Sequence, residues 1–167
     1  MGHKKDTQLM YTFSYKSIWD NKPATIKVEI TSMAEIKYGY DTKPILANFK
    51  DPIYEQLLFP IQQINCITLP EMIAEKCRAA LTRHTPAIRD FYDLWYISQH
   101  GYNVSDYISI IKEKCEEDGN RRTIDNALPI LQNQIQTELY PVINLPTDFD
   151  LMEICEKLVS MRNDFLL

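Results

Sequence analysis

The sequence predicts an α+β fold, with a small antiparallel β region over residues ~8–68 followed by a bundle of about five helices. Three observations carry this. Apolar residues alternate with period two through the first seventy residues. From Thr68 onward they recur every three to four residues. Strand-like and helix-like runs are segregated rather than interleaved, which argues against a doubly wound sheet. At 167 residues, 45% apolar and 25% charged, the chain can build one hydrophobic core.

Gln8–Ile18 places Leu9, Tyr11, Phe13 and Tyr15 on one face, the pattern of a half-buried strand. Asp20-Asn21-Lys22-Pro23 is a turn cluster. In Ala24–Ser32, Ile26, Val28 and Ile30 alternate with Lys27, Glu29 and Thr31, so the two runs predict a hairpin. Residues 38–50 read as irregular around Gly39 and Pro44, with a short strand at Ile45–Phe49. Gln62–Thr68 is a last short strand. Three or four strands of this kind look like a piece of a larger sheet.

Thr68 and Glu71 have capping-box spacing, and Pro70 falls in the first turn of a helix running to about Thr82. His84-Thr85-Pro86 breaks it, and a second helix runs from near Ala87 to just before Gly101. Ser105–Asp118 and Arg121–Leu139 follow, the latter bent at Pro129. The last helix, Asp148–Phe165, buries Leu151, Ile154, Leu158 and Met161, with Asp148 and Asp150 read as cap and acidic first turn.

A net charge of −5 argues against a broad nucleic-acid-binding surface, although it leaves room for a local basic cleft. Cys66, Cys77, Cys115 and Cys155 lack zinc-type spacing and read as reduced structural thiols of a cytoplasmic protein. No apolar run approaches the ~20 residues of a membrane span. Met1–Lys5 has no apolar stretch behind it and so is no signal peptide; part of it reads as an expression remnant.

The chemistry concentrates in the first two helices. In Leu69–Arg83, residues Ile73, Ala74, Cys77, Ala80 and Leu81 form the apolar face, with Glu75, Arg78 and Thr82 opposite, toward solvent. Lys76 and Arg83 share a stripe with Met72 and Ala79 at the border of that face. Their stems can cover apolar surface while the heads reach water, or the heads can point into a groove. On the next helix, Arg89, Asp90 and Asp93 are wedged between Ile88, Phe91, Tyr92, Trp95, Leu94 and Ile97. Buried charges need partners. Arg89 and Asp93 can meet along the helix, leaving Asp90 to engage Lys76 or Arg83. Such a cluster is either a salt-bridge network pinning two helices or a site for a phosphate and a substrate hydroxyl, and residue types alone leave both open. His84 reads as a loop residue and His100 as a helix C-terminal residue favoured by the dipole. Tyr11, Tyr15, Tyr92 and Tyr96 are at core spacing and read as packing groups rather than a base-stacking platform.

The stretch Leu69–Arg83 with Lys76 and Arg83, followed by Arg89-Asp90-Phe91-Tyr92-Asp93, resembles the helical region of the AbiEii/AbiGii toxin family. The similarity runs from about Tyr11 to Gln99 and includes the strand Ile26–Ile30. It implies a polymerase-β-like nucleotidyltransferase that moves a nucleotide from a nucleoside triphosphate to an acceptor, plausibly RNA, with a cognate antitoxin as partner. Lys76, Arg83 and Arg89 would bind the nucleotide; Asp90 and Asp93 would build the catalytic site, Asp93 acting on the incoming hydroxyl. Glu29 would be a third acidic residue and a possible ligand of the Mg²⁺ such enzymes hold with carboxylates. The fold's Gly-Ser turn and paired acidic residues would precede Tyr11, and only ten residues do. Residues 1–68 are therefore expected to be a β-rich remnant of the nucleotidyltransferase-like domain and 69–167 a helical domain. By itself the chain would lack the main metal ligands and should not catalyse transfer. The alternative is a non-catalytic interaction domain with a structural Lys76/Arg83/Arg89–Asp93 network; a third reading has a second chain supplying the carboxylates.

Overall fold

The computed structural model describes residues 2–5, 8–18, 20–31, 36–45, 50–51, 53–57, 60–117, 124–144 and 148–165. Contacts divide the chain into two units, Met1–Lys37 and Tyr38–Leu167.

The first unit is an antiparallel sheet in the order β1 (Gly2–Lys5), β2 (Gln8–Lys16), β3 (Pro23–Thr31). The expected hairpin is there, and its register pairs like with like: Leu9 opposite Ile30, Tyr11 opposite Val28, Phe13 opposite Ile26. Opposed residues of antiparallel strands share a face, so the two apolar rows make one apolar side. At the turn, Ser17 N–H donates to Lys22 C=O at 2.9 Å, and Asn21 takes the left-handed φ of +56°. The Asp20 carboxylate accepts from the Lys22 amide at 3.2 Å, and a hydrogen bond from Ser17 is the main cause holding it below the usual carboxylate range. One expectation fails. Tyr11, Phe13, Tyr15 and Ile26 are exposed rather than half-buried, because this unit carries no second layer among its described residues. The segment read as an expression remnant supplies β1, a strand too short to show a period.

The second unit opens on a separate hairpin, β4 (Tyr40–Pro44) against β5 (Gln63–Ile67), paired Tyr40 to Ile67 through Pro44 to Gln63. Among the described residues the strands thus form two separate sheets. The strand expected at residues 45–49 falls on residues 46–49, outside the described set, while Tyr40–Pro44, read as irregular, forms a strand. This hairpin belongs to the same unit as the helices, so the unit starts at Tyr38 rather than at residue 69. The physical reason is a set of hydrogen bonds onto the start of the first helix. Thr68 N–H donates to Gly39 C=O at 3.4 Å, Thr68 Oγ1 to Tyr38 C=O at 3.1 Å, and Tyr38 N–H to Glu71 Oε2 at 3.1 Å.

Among the described residues five α-helices follow: α1 (Leu69–Thr82), α2 (Ile88–Gln99), α3 (Ile108–Glu117), α4 (Leu128–Gln134) and α5 (Leu151–Phe165). Thr68 caps α1, accepting from Glu71 N–H at 3.4 Å, and Pro70 sits in the first turn. A 3₁₀ turn at Val104–Tyr107 leads into α3. Pro129 does not bend a long helix but starts α4, where its missing N–H costs little; residues 121–123 are outside the described set. A π-helical turn, Ile135–Leu139, continues α4. Asp150 caps α5, its Oδ1 accepting from Met152 N–H at 2.8 Å and Glu153 N–H at 3.1 Å. Gly101 at φ +83° ends α2 in a Schellman turn, with Tyr102 N–H to Ile97 C=O at 3.3 Å and Gly101 N–H to Ser98 C=O at 3.1 Å.

The core lies between these helices. Ile73, Cys77, Ile88, Phe91, Leu94, Ile111 and Leu131 are fully buried, and α5 closes it with Leu151, Ile154, Leu158 and Met161. Helix α2 has no cap of its own. Gln134 of α4 supplies one: its Oε1 accepts from Ile88 N–H at 2.9 Å and its Nε2 donates to Pro86 C=O at 3.1 Å. Among the described residues no helix is long and apolar enough to cross a membrane.

Candidate functional site

The loop after α1 turns back through Pro86, so the end of α1 faces the first turn of α2. Lys76 Nζ lies 3.4 Å from Asp90 Oδ1 and 2.6 Å from Asp93 Oδ2. Arg83, at the C-cap of α1, places Nε 3.3 Å from Asp90 Oδ2. Asp90 therefore engages both border cations across the helix pair. It is 1% exposed, while the Lys76 and Arg83 side chains remain 31% and 41% exposed. Asp90 Oδ2 accepts no hydrogen bond, because the Arg83 N–H is close but not aimed at it. The position of Asp90 in the first turn of α2 also suits the helix dipole.

The other site residues fall differently. Arg89 does not pair with Asp93: it is exposed, without an ion-pair partner among the described residues, and Asp93 has turned to Lys76. Glu29 is exposed in the first unit and bound to Lys27 at 2.5 Å. On the helix pair, Lys76, Arg83 and Arg89 against Asp90 and Asp93 sum to a formal charge of +1, three cations less two carboxylates. A surplus cation on an acidic protein can attract an anion locally.

A second buried cluster was not foreseen. Lys114 of α3 is 3% exposed and sits 2.6 Å from Glu71, itself 3% exposed, and 3.8 Å from Glu75. Glu75 takes a bidentate contact from Arg78, whose carbonyl accepts from Thr82 Oγ1 at 2.8 Å. The face of α1 expected to meet solvent is instead packed against α3, leaving Glu75 and Arg78 half-buried and Thr82 buried. Glu71 closes no reciprocal capping box; its carboxylate goes to Tyr38 N–H and Lys114. The available signal was Lys114 standing three residues after Ile111 on the inward stripe of α3.

The aromatic residues of α2 also divide. Tyr92 packs edge-on against Phe149 (centroids 5.6 Å) and tilted against Trp95 (5.6 Å), as a packing residue should. Tyr96 is 49% exposed and lies against His100, ring centroids 4.1 Å apart. Tyr96, Tyr11 and Tyr15 are thus not core residues.

The sequence model described as "AbiEii: Nucleotidyl transferase AbiEii toxin, Type IV TA system" matches residues 3–157, most of the chain. The chain belongs to the AbiEii nucleotidyl transferase toxin family. Comparison with curated protein sequences gives no match. Among solved structures, JHP933 from Helicobacter pylori is similar at 16% identity with a TM-score of 0.50. The match covers 98% of this chain and 60% of that one, so the chain spans less than two thirds of JHP933, and at this identity the likeness concerns the fold.

Among the described residues no group of three or more His, Cys, Asp or Glu could hold a metal. They do not by themselves fit Mg²⁺, which is held through carboxylate oxygens. Lys76 and Arg83 present partly exposed donors beside the buried Asp90.

The four cysteines of this AbiEii-family chain are free thiols. Burial pushes the Cys77 thiol far above its ordinary range, with Cys115 adding to the effect. Burial, then the charge of Glu156, pushes Cys155 up to about 11. A raised folded value means that this stability is complete below the ordinary 9.0 and is lost as pH rises toward 11. Iodoacetamide at pH 8 should leave Cys77 and Cys155 intact in the folded protein and alkylate them after denaturation. Peptide mass spectrometry showing rapid native labelling of Cys77 would contradict their burial.

Proposed function

We propose that this chain is the nucleotide-gripping part of a nucleotidyltransferase toxin that transfers a nucleotide from a nucleoside triphosphate to an acceptor, an RNA by the family's logic. The observation that carries the reading is the convergence of Lys76 and Arg83 on Asp90 at the α1–α2 junction of an AbiEii-family chain. Asp90 anchors the two cations so that their remaining donors face phosphate oxygens at little entropic cost. Arg89 adds a third cation to the same phosphates. Asp93, held on Lys76, stands as the acceptor for the proton of the incoming hydroxyl. The reading includes a cognate antitoxin as partner and a cytoplasmic location, which suits four free cysteines.

The competing reading makes the cluster a structural pin between α1 and α2, favoured by the near-complete burial of Asp90. Calorimetry separates them. With ATP, GTP, CTP and UTP, each with Mg²⁺, at least one nucleotide should bind, and Lys76→Ala should weaken that binding at least about tenfold, the loss of one charged contact. If no nucleotide binds and Lys76→Ala only lowers the melting temperature, the cluster is structural.

A further inference from the structure

One stripe of α2 lies outside the hydrophobic core. Arg89, Asp93, Tyr96 and His100 follow one another at three- and four-residue spacing along its solvent side. Arg89 is an exposed cation without an ion-pair partner among the described residues. Asp93 carries the Lys76 ammonium at 2.6 Å. Tyr96 and His100 then present two rings in contact, tilted by 33°. His100 Nδ1 lies 2.8 Å from Tyr96 C=O; a carbonyl can only accept, so this bond puts the proton on Nδ1 and holds the ring against Tyr96. Tyr92, 6.4 Å from Tyr96 and packed on Phe149, braces the pair from the core side. The result is a fixed, half-exposed aromatic surface adjoining a cationic one.

We infer that Tyr96 and His100 form the base-stacking subsite for a nucleoside triphosphate whose phosphates lie at Lys76, Arg83 and Arg89. The inference rests on the nucleotide-binding reading above and extends it to the base. The chemistry of the stripe is that of one nucleotide laid along the helix. The cations sit at the N-terminal end, matching the anionic phosphates, and the rings lie about 10 Å further along the axis at 1.5 Å per residue. Stacking accepts any base, since each has a π-face, so all four nucleotides should bind, with preferences set by stacking strength. A net charge of −5 favours a single nucleotide over a long polynucleotide, which gains from a broadly basic surface.

Isothermal titration of the chain with the four nucleoside triphosphates and with inorganic tripolyphosphate tests this. Nucleotides should bind about 5- to 150-fold more tightly than tripolyphosphate, the range expected for one base stacked on an aromatic residue. Tyr96→Ala and His100→Ala should each reduce that advantage and leave tripolyphosphate affinity unchanged, while Tyr96→Phe, which keeps the ring, should retain it. Lys76-dependent tripolyphosphate binding with no added affinity for nucleotides would overturn the base subsite and leave the phosphate reading standing. An advantage unaffected by either alanine variant, or one shown by short RNA but not by mononucleotides, would also overturn it. If neither tripolyphosphate nor nucleotides bind, both readings fall together.

Discussion

Replacing Lys114 with alanine is expected to lower the unfolding free energy by about 3–5 kcal/mol, the largest loss available to one surface-type residue in this chain. The size follows from where the charges sit. The Lys114 and Glu71 side chains are each 4% exposed and 2.6 Å apart, so removing the ammonium leaves a carboxylate in the interior with only Tyr38 N–H to satisfy it. Glu75, 33% exposed, retains access to water and to Arg78, but Glu71 does not. The Lys157–Glu153 pair on α5, also close in space but solvated, should contribute no more than about 0.5 kcal/mol. Pairing Lys114→Met with Glu71→Leu should recover much of the single-variant loss, because an apolar pair leaves no stranded charge. Urea titration with unchanged slope measures all of these. A Lys114→Ala loss under about 1 kcal/mol would mean that the ammonium is hydrated in solution.

The second large effect is an asymmetry at the Lys76–Arg83–Asp90 cluster. Lys76→Met should cost about 3 kcal/mol, whereas Asp90→Asn should cost only about 1–2 kcal/mol. Removing Lys76 strands the buried Asp90 with an Arg83 N–H that does not point at it. Removing the Asp90 charge instead releases Lys76 and Arg83, both partly exposed, into water. Asp90→Asn should nevertheless weaken nucleotide binding, since the cations lose their anchor. Chemical denaturation of the two variants, run beside nucleotide titration, checks the order. Equal or reversed stability losses would show that Arg83 or water already satisfies Asp90.

Much of this was legible in the residues. Period-two alternation marked the β2–β3 hairpin, and its register put Tyr11 beside Val28 and Phe13 beside Ile26. Helical spacing marked the inward faces of α1, α2 and α5, and the capping roles of Thr68 and Asp150 were visible as local signals. The border placement of Lys76 and Arg83 and the unbalanced Asp90 pointed to their meeting. These features are local or depend on one periodic face, which is why a linear string carries them.

What stayed hidden depends on which other element arrives. A helical wheel assigns one inward face, but α1 has two, because α2 packs on one side and α3 on the other; Lys114 therefore took Glu71 from its expected cap and covered Glu75. The start of α2 has no capping side chain in its own sequence and borrows Gln134 from forty-six residues away. Arg89 and Asp93, four apart and of opposite charge, were free to pair along the helix, yet Lys76 from α1 lies closer to Asp93 and holds it. Tyr96 kept core spacing but lay beyond the reach of any covering element, so its ring meets solvent beside His100. The sequence by itself determined the class of the fold and most inward residues of α1, α2 and α5, because spacing along one element decides them. The tertiary structure alone decided which charges pair and which rings stay exposed, because both depend on distances between elements that sequence order does not encode.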